Sequence, residues 1–374
     1  MQLPFLEPDP FVPLPLGAAH YVPVLQNRTG ELGALRHASE ETWLRLTPLI
    51  QIVGPRSKPE VFNAPNVSSW VKKIALATGD HPLFLDLLRL KGTHPVETTK
   101  GNVPVLERIY WAARRRHLAF VPVVRVGTAD TAHVNLVRDC ADADGRGVAL
   151  RYPIRTFALA PAKQGDYFRQ LLDTLGTDAT KADLLVDLDF LDDDAEILAD
   201  DLGAALNGAL AVGAWRSVVV IGTSMPSMLS CIPEGTLGSL PRREWRLWRS
   251  LSAVGLPQAT SFGDYAIQHP TPPQEKGGPS MRANIRYTAG DITLIARGRG
   301  PWVQEGSEQY IGLCRTLVNQ EAFSGADYTW GDRSIEDCAN GLEAPGSQNV
   351  WRGAGTSHHL RFVTDQLQRL PRSA

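Results

Sequence analysis

Apolar, Val- and Leu-rich runs of strand length recur along the chain. Each ends in a charged or polar residue before an amphipathic stretch or a Gly/Pro loop takes over. Seven are plain: HYVPVL (20–25), LTPLIQIV (46–53), PLFLDLL (82–88), FVPVVRV (120–126), GVALRYPI (147–154), DLLVDLDFL (183–191) and SVVVIGTS (217–224). TSFGDYAI (260–267) has the form of an eighth. The intervening segments, among them TGELGALRHASEETWLRL (29–46) and VSSWVKKIALATG (67–79), space their apolar residues as surface helices do, and several end in glycine near the expected C-cap. Strands alternating with helices of this length specify parallel pairing with right-handed crossovers. Eight such units predict an α/β fold of the (β/α)8, TIM-barrel-like kind, whose chemistry gathers at the carboxyl ends of its strands. The rival is an open doubly wound sheet, but no G-x-G-x-x-G follows the first strand to cradle a dinucleotide.

The rhythm fails after about residue 226. A Gly/Pro loop and a Trp/Arg helix, PRREWRLWRS (241–250), precede the Pro-rich QHPTPPQEKGGPS (268–280). ANIRYTAGDITLIARG (283–298) then reads as a hairpin turning at Gly290 and Asp291, and two further helices follow. With 374 residues against the roughly 250 of a plain barrel, the chain is expected to form a single decorated barrel domain. Residues 1–19 are an extended arm, 20–267 the barrel core, and 268–374 a flap, hairpin and closing helices over the mouth.

Composition narrows the setting without naming a function. Apolar residues make up 43% and charged residues 21%, which suits a large packed core; the net charge of −2 says little about partners beyond lacking the basic excess of a generic nucleic-acid binder, and no nucleic-acid partner is expected. The four cysteines form no C-x-x-C pair, and the proline-broken start lacks the form of a secretory signal. A cytoplasmic protein without a membrane partner is expected. Neither H-E-x-x-H, G-x-S-x-G nor a P-loop is present.

Alternation along each strand assigns faces. In DLLVDLDFL, Leu184, Val186, Leu188 and Phe190 form the helix-facing side, which points Leu185, Asp187 and Asp189 inward. The same test places Gln51, Asp86, Arg125, Arg151, Thr223 and Asp264 on the inner face, towards the carboxyl ends. Buried charges there must pair, bind water or meet a ligand. Three readings follow. Asp86, Asp187 and Asp189 could hold magnesium or manganese, with Arg125 and Arg151 clamping a phosphate-containing small ligand. The acids could receive a basic side chain from a protein partner. Or the group is an internal Arg–Asp network filling the barrel mouth. In PRREWRLWRS, Trp245 and Trp248 are expected in the core, with Arg242, Arg246 and Arg249 as a solvated rim.

The motifs GTSMP, PRREWRLW, FGDYAIQHP, ANIRYT, YTWGD and WRGAGTSHHLRFV, in this order, resemble the phage beta-protein family over almost the whole chain. YVPVLQNRTGELGAL is similar to its opening strand and helix, although members often carry Lys where Gln26 or Arg28 stands here. The resemblance implies a barrel-like protein of phages, satellite phages and bacterial mobile or defence loci. It supplies no proven catalytic residues. It draws attention to Arg28, Asp264, Tyr265, Arg286, Trp330, Asp332 and His359, with Arg28, Asp264 and Arg286 expected to reach one mouth and Gly331-Asp332 alternatively a tight turn.

Two functions remain at this point. The leading one is a recognition or regulatory module in phage–host conflict, taking a protein partner from a phage or defence module, or a phosphate-containing ligand. The alternative is a metal-dependent hydrolase of nucleotides or other phosphoesters, with Asp187, Asp189, Asp264 and His359 as catalytic candidates.

Overall fold

A computed structural model describes residues 16–55, 61–90, 94–99, 101–127, 130–192, 199–271 and 282–370. Its strands, in chain order, are β1 (Tyr21–Gln26), β2 (Leu49–Gln51), β3 (Phe62–Asn63), β4 (Leu83–Asp86), β5 (Pro95–Thr98), β6 (Gly101–Pro104) and β7 (Phe120–Arg125). They continue with β8 (Val148–Tyr152), β9 (Ala182–Phe190), β10 (Ser217–Thr223), β11 (Leu237–Pro241), β12 (Ser261–Asp264), β13 (Asn284–Ala289) and β14 (Ile292–Arg297). Eight of these, β1, β2, β4, β7, β8, β9, β10 and β12, close into a barrel in that cyclic order, each parallel to its neighbours. They are the eight apolar runs of the sequence.

Helices return the chain between strands. They are α1 (Thr29–Arg36), α2 (Glu40–Trp43), α3 (Ala64–Thr78), α4 (Val105–Arg114), α5 (Thr131–Asp144), α6 (Pro161–Thr174), α7 (Ala199–Leu210) and α8 (Arg243–Leu251). Local signals set their ends. Asp130 caps α5 by accepting from the His133 N–H at 3.1 Å, and Gly145 ends it in the left-handed conformation. Val67, Val71 and Ile74 bury one stripe of α3 against the barrel.

Two apolar layers result. Val22, Val24, Leu49, Phe84, Val121, Val123, Ala149, Leu185, Val219 and Ile221 fill the interior, while the opposite face of each strand joins the larger core beneath the helices. Leu16 packs against the interior cluster and donates its N–H to Ser217 at 2.8 Å, and Ser261 bonds the Gly17 carbonyl at 2.9 Å. Residues 16 and 17 of the expected arm thus seal the amino end of the barrel; 1–15 lie outside the described residues.

The last third forms α9 (Trp302–Glu305), α10 (Gln309–Val318), α11 (Trp330–Ala339) and α12 (Gln348–Gln368) around the expected hairpin β13–β14. β11, within a stretch that reads as loop in the sequence, adds a third antiparallel strand to that hairpin. Ile285, Tyr287, Tyr310, Leu317, Ile335 and Trp351 anchor a separate hydrophobic cluster here. α12 closes the ring, packing on α1, α11, β13 and β1. The approach is close: a Cβ on Gly331 would stand 2.0 Å from the Ala354 carbonyl oxygen, and one on Gly355 would stand 2.5 Å from that of Arg286. Gly331-Asp332 is not a tight turn. It opens α11, whose N-cap Thr329 accepts from the Asp332 N–H at 3.2 Å. The PPQEKGGPS part of the expected flap lies outside the described residues. No described helix is long and apolar enough to cross a membrane.

Candidate functional site

Asp86, Arg151 and Asp187 lie towards the carboxyl ends of β4, β8 and β9, and their inward phase brings them together as the sequence predicts. Arg151 spans the other two. It donates from Nε to Asp187 Oδ2 at 2.9 Å, from Nη1 to Asp86, and from Nη2 to the Tyr265 hydroxyl at 2.6 Å. Tyr265 in turn donates to Asp187 at 2.8 Å. The outer oxygens are used as well: Asp86 accepts from the Leu88 N–H at 2.8 Å and from Gln51 Nε2 at 3.2 Å, and Asp187 accepts from the Asp189 N–H at 3.0 Å. All five side chains are buried. Burial opposes the charge on Arg151, but Tyr265, Asp187 and Asp86 outweigh it and hold the guanidinium above its ordinary pKa. For Tyr265, burial raises the pKa of the phenol, Arg151 opposes, and Asp187 and Asp189 add to the rise.

This floor does not suit a divalent cation. Magnesium and manganese need a shell of oxygen ligands, and here a guanidinium occupies the space between the two buried carboxylates. Among the described residues, no group of three or more His, Cys, Asp or Glu side chains could hold a metal ion. Asp189 departs from the predicted alternation. β9 carries an extra residue where its register with β10 shifts, Asp189 takes a φ of 58°, and its side chain is solvent-exposed.

The rim is arginine-rich. Arg125 is exposed and reaches Thr156 at 3.4 Å, while Arg89, just after β4, bonds Gln51 at 3.2 Å and Thr271 at 3.2 Å. Arg286 donates to the Ile267 carbonyl and to Asn284 at 3.3 Å. Arg28 is half-buried at the start of α1, where it and Arg352 act on the buried Glu31. Thr223 is spent on the backbone, donating to the Gln268 carbonyl at 3.3 Å and accepting from the Met225 N–H at 3.1 Å.

Asp264 is not in the mouth. Ser261 and Gly263 take the inner phase of β12, because Phe262 turns outward onto Trp245 and Trp248, and Asp264 follows Phe262. It accepts from Tyr21 and, at 3.0 Å, from His359 Nε2; His359 Nδ1 lies 2.6 Å from the Thr288 hydroxyl. Burial opposes ionisation of Asp264, but His359, Arg242 and Tyr21 outweigh it and hold the carboxyl below its ordinary range. Burial lowers the pKa of His359, with Asp264 opposing. Thr288, His359 and Asp264 have the order of a hydroxyl–imidazole–carboxylate triad, yet none is more than 1% exposed, so this geometry offers no access to a substrate.

A second buried set adjoins it. His358 Nδ1 lies 3.0 Å from Asp332 and Nε2 lies 2.9 Å from the Thr288 carbonyl, while Tyr287 donates to Asp332 at 2.7 Å. Trp330 stacks on His37 at 4.6 Å, tying α11 to α1. Asp332, Trp330 and His359 therefore fasten the C-terminal third to the barrel wall. Arg242 belongs here too. Instead of joining a solvated rim, it is buried, bonding the Gly290 carbonyl and Gln366, both at 2.9 Å; Arg246 and Arg249 are exposed as expected, and Trp245 and Trp248 are buried.

The motifs that carried the resemblance therefore meet in space. A family model described as Beta protein matches residues 21–365. The chain belongs to that family. The match takes in all eight barrel strands, the hairpin and most of α12. Similar solved structures include 2,3-dimethylmalate lyase, a PEP mutase/isocitrate lyase superfamily member, at 9% identity and TM-score 0.36, covering 67% of this chain and 77% of that one. Another is the carboxyl transferase domain of Rhizobium etli pyruvate carboxylase, at 12% identity and TM-score 0.30, covering 59% and 46%. The barrel assignment rests on the strand pairing and not on these likenesses. No curated protein matches the sequence.

Sequence reasoning missed Arg89, Arg155, His269 and Tyr287. Arg89 and Arg155 each lie a few residues beyond a strand end, where a barrel puts its site loops; their position was a usable signal. Tyr287 and Tyr21 looked like ordinary core aromatics, and nothing in the pattern marked their hydroxyls as partners of buried acids.

Proposed function

We propose that this Beta protein is a recognition or regulatory module acting in conflict between phage and host, and that it takes its ligand or partner at the carboxyl end of the barrel. One observation carries the reading: Arg151 is shared as an ion-pair partner by Asp86 and Asp187, with Tyr265 and Gln51 completing their hydrogen bonds. A floor satisfied in this way is a fixed polar base beneath the mouth, and leaves neither a free general base nor a set of metal ligands. Family membership supports the phage-related setting. The metal-dependent hydrolase has no comparable observation in its favour.

The test is direct. Purified protein is assayed against a nucleotide panel with magnesium or manganese, alongside the Asp187→Ala and Asp189→Ala variants. No metal-dependent turnover above background is expected. Turnover that needs the metal and disappears with Asp187→Ala would overturn the reading.

A further inference from the structure

The arginines around the mouth share a property that the floor lacks. Arg89, Arg125, Arg155 and Arg286 all sit at the carboxyl end, yet none bonds a carboxylate among the described residues. Their partners are neutral: the Gln51 and Asn284 amides, the Thr156 and Thr271 hydroxyls, and the carbonyls of Phe190, Ile267 and Pro270. Other guanidiniums of the chain do pair with acids, as in Arg114–Asp144 at 3.0 Å and Arg216–Asp183.

Contacts join the four into one arc. Arg125 bonds Thr156, which follows Arg155 in the chain. Arg155 bonds the Phe190 carbonyl, and the Phe190 ring meets the His269 ring at 5.1 Å. His269 belongs to the segment 267–271, pinned by Arg89 at Thr271 and by Arg286 at Ile267. His269 itself registers the field: burial lowers its pKa, and Arg89 and Arg286 lower it further against Thr271 and Asp189. Burial also lowers Arg286 to about 10, with Arg352 adding to the effect.

We infer that the arc is a binding site for a multiply charged oxyanion, of the phosphate or polycarboxylate class. The inference rests on the recognition reading of the mouth. Guanidiniums held in place by neutral acceptors keep their charge and part of their donor fork available, and they match oxyanions in geometry. Four of them, drawn from separate segments, suit a ligand with more than one charged group.

Isothermal titration of the full chain, without metal, would use inorganic pyrophosphate, citrate and adenosine as probes, and a short DNA duplex as a further arm. Pyrophosphate or citrate is expected to bind, more weakly as salt rises, and whichever binds identifies the class. Each of Arg125→Ala and Arg155→Ala should weaken binding about tenfold, since one charge-assisted hydrogen bond is worth roughly that factor. Both residues are exposed, so folding should survive. Arg138→Ala, at an exposed ion pair on α5, should change nothing. Failure of both oxyanions to bind, or equal binding by the Arg125→Ala/Arg155→Ala double variant, would overturn the inference. Binding of duplex DNA alone would also overturn it in favour of a macromolecular polyanion. Adenosine binding that depends on Arg125 would overturn the oxyanion class while leaving the recognition reading intact. Metal-dependent turnover lost with Asp187→Ala would instead remove the recognition reading itself.

Discussion

Replacing Arg151 with methionine keeps much of the side-chain volume at the centre of the floor and removes its charge. Asp86 is fully buried and Asp187 is 6% exposed, so both carboxylates would remain in a low-dielectric site without their shared counter-charge. Tyr265 would lose its donor, and Gln51 and the Leu88 N–H would be the remaining hydrogen-bond donors to Asp86. Breaking one buried ion pair from one side typically costs about 3–5 kcal/mol, and here a single change orphans two acids, so Arg151→Met should fall at or above the upper end of that range. Equilibrium unfolding in urea measures it. The companion variant, Arg151→Met with Asp86→Leu and Asp187→Leu, should recover several kcal/mol, because an apolar floor has no stranded charge. A loss below about 1 kcal/mol for Arg151→Met, the size of an exposed pair, would refute the view that this network is dry and mutually dependent.

Two further outcomes follow from packing and from charge. Gly331→Ala should destabilise by about 1–3 kcal/mol, because its new methyl would meet the Ala354 carbonyl and force α11 off α12; a thermal shift indistinguishable from wild type would count against that contact. Burial raises Glu244 to about 6 from 4.5, with Arg242 opposing and Asp264 adding. The folded state therefore binds more protons than the unfolded chain between those values, and stability falls by about 2 kcal/mol in all as pH rises from well below 4.5 to well above 6. His20, lowered to about 4 by burial, acts in the opposite sense, its contribution being lost as pH falls from 6.5 towards 4. The difference between wild type and Glu244→Gln in urea unfolding across that window isolates the glutamate, and parallel curves would exclude it.

The barrel was legible because each strand has to satisfy two apolar layers at once. Leu184, Val186 and Leu188 against Leu185 and Asp187 fixed the faces of β9, and the same logic found Asp86 and Arg151. It failed where the backbone leaves regular alternation or where a small inward residue hides the phase. The bulge at Asp189 is a register defect that side-chain pattern does not record. In SFGD, the inward Gly263 carries no signal, so the alternation points to the acid after it as the inward residue; the outward Phe262, packed on Trp245, holds the correct phase. β11 escaped notice because LGSLP has weak strand propensity and is held by its pairing with β14. The buried His358 and His359 were visible as a pair, but their acids, Asp332 and Asp264, lie 26 and 95 residues away, and only the fold relates them.

Tyr21 and His359 are hydrogen-bonding neighbours although 338 residues separate them. The first barrel strand and α12 thus complete one seam, and the Tyr21 hydroxyl gains its His359 partner only when α12 has been made. During synthesis, all eight barrel strands can emerge while the β1–β12 edge still lacks α12. Closing a loop of that length is slow but thermodynamically inexpensive. Barrel closure should therefore be the late step of folding, and its arrival should be reported by burial of the Tyr21 hydroxyl.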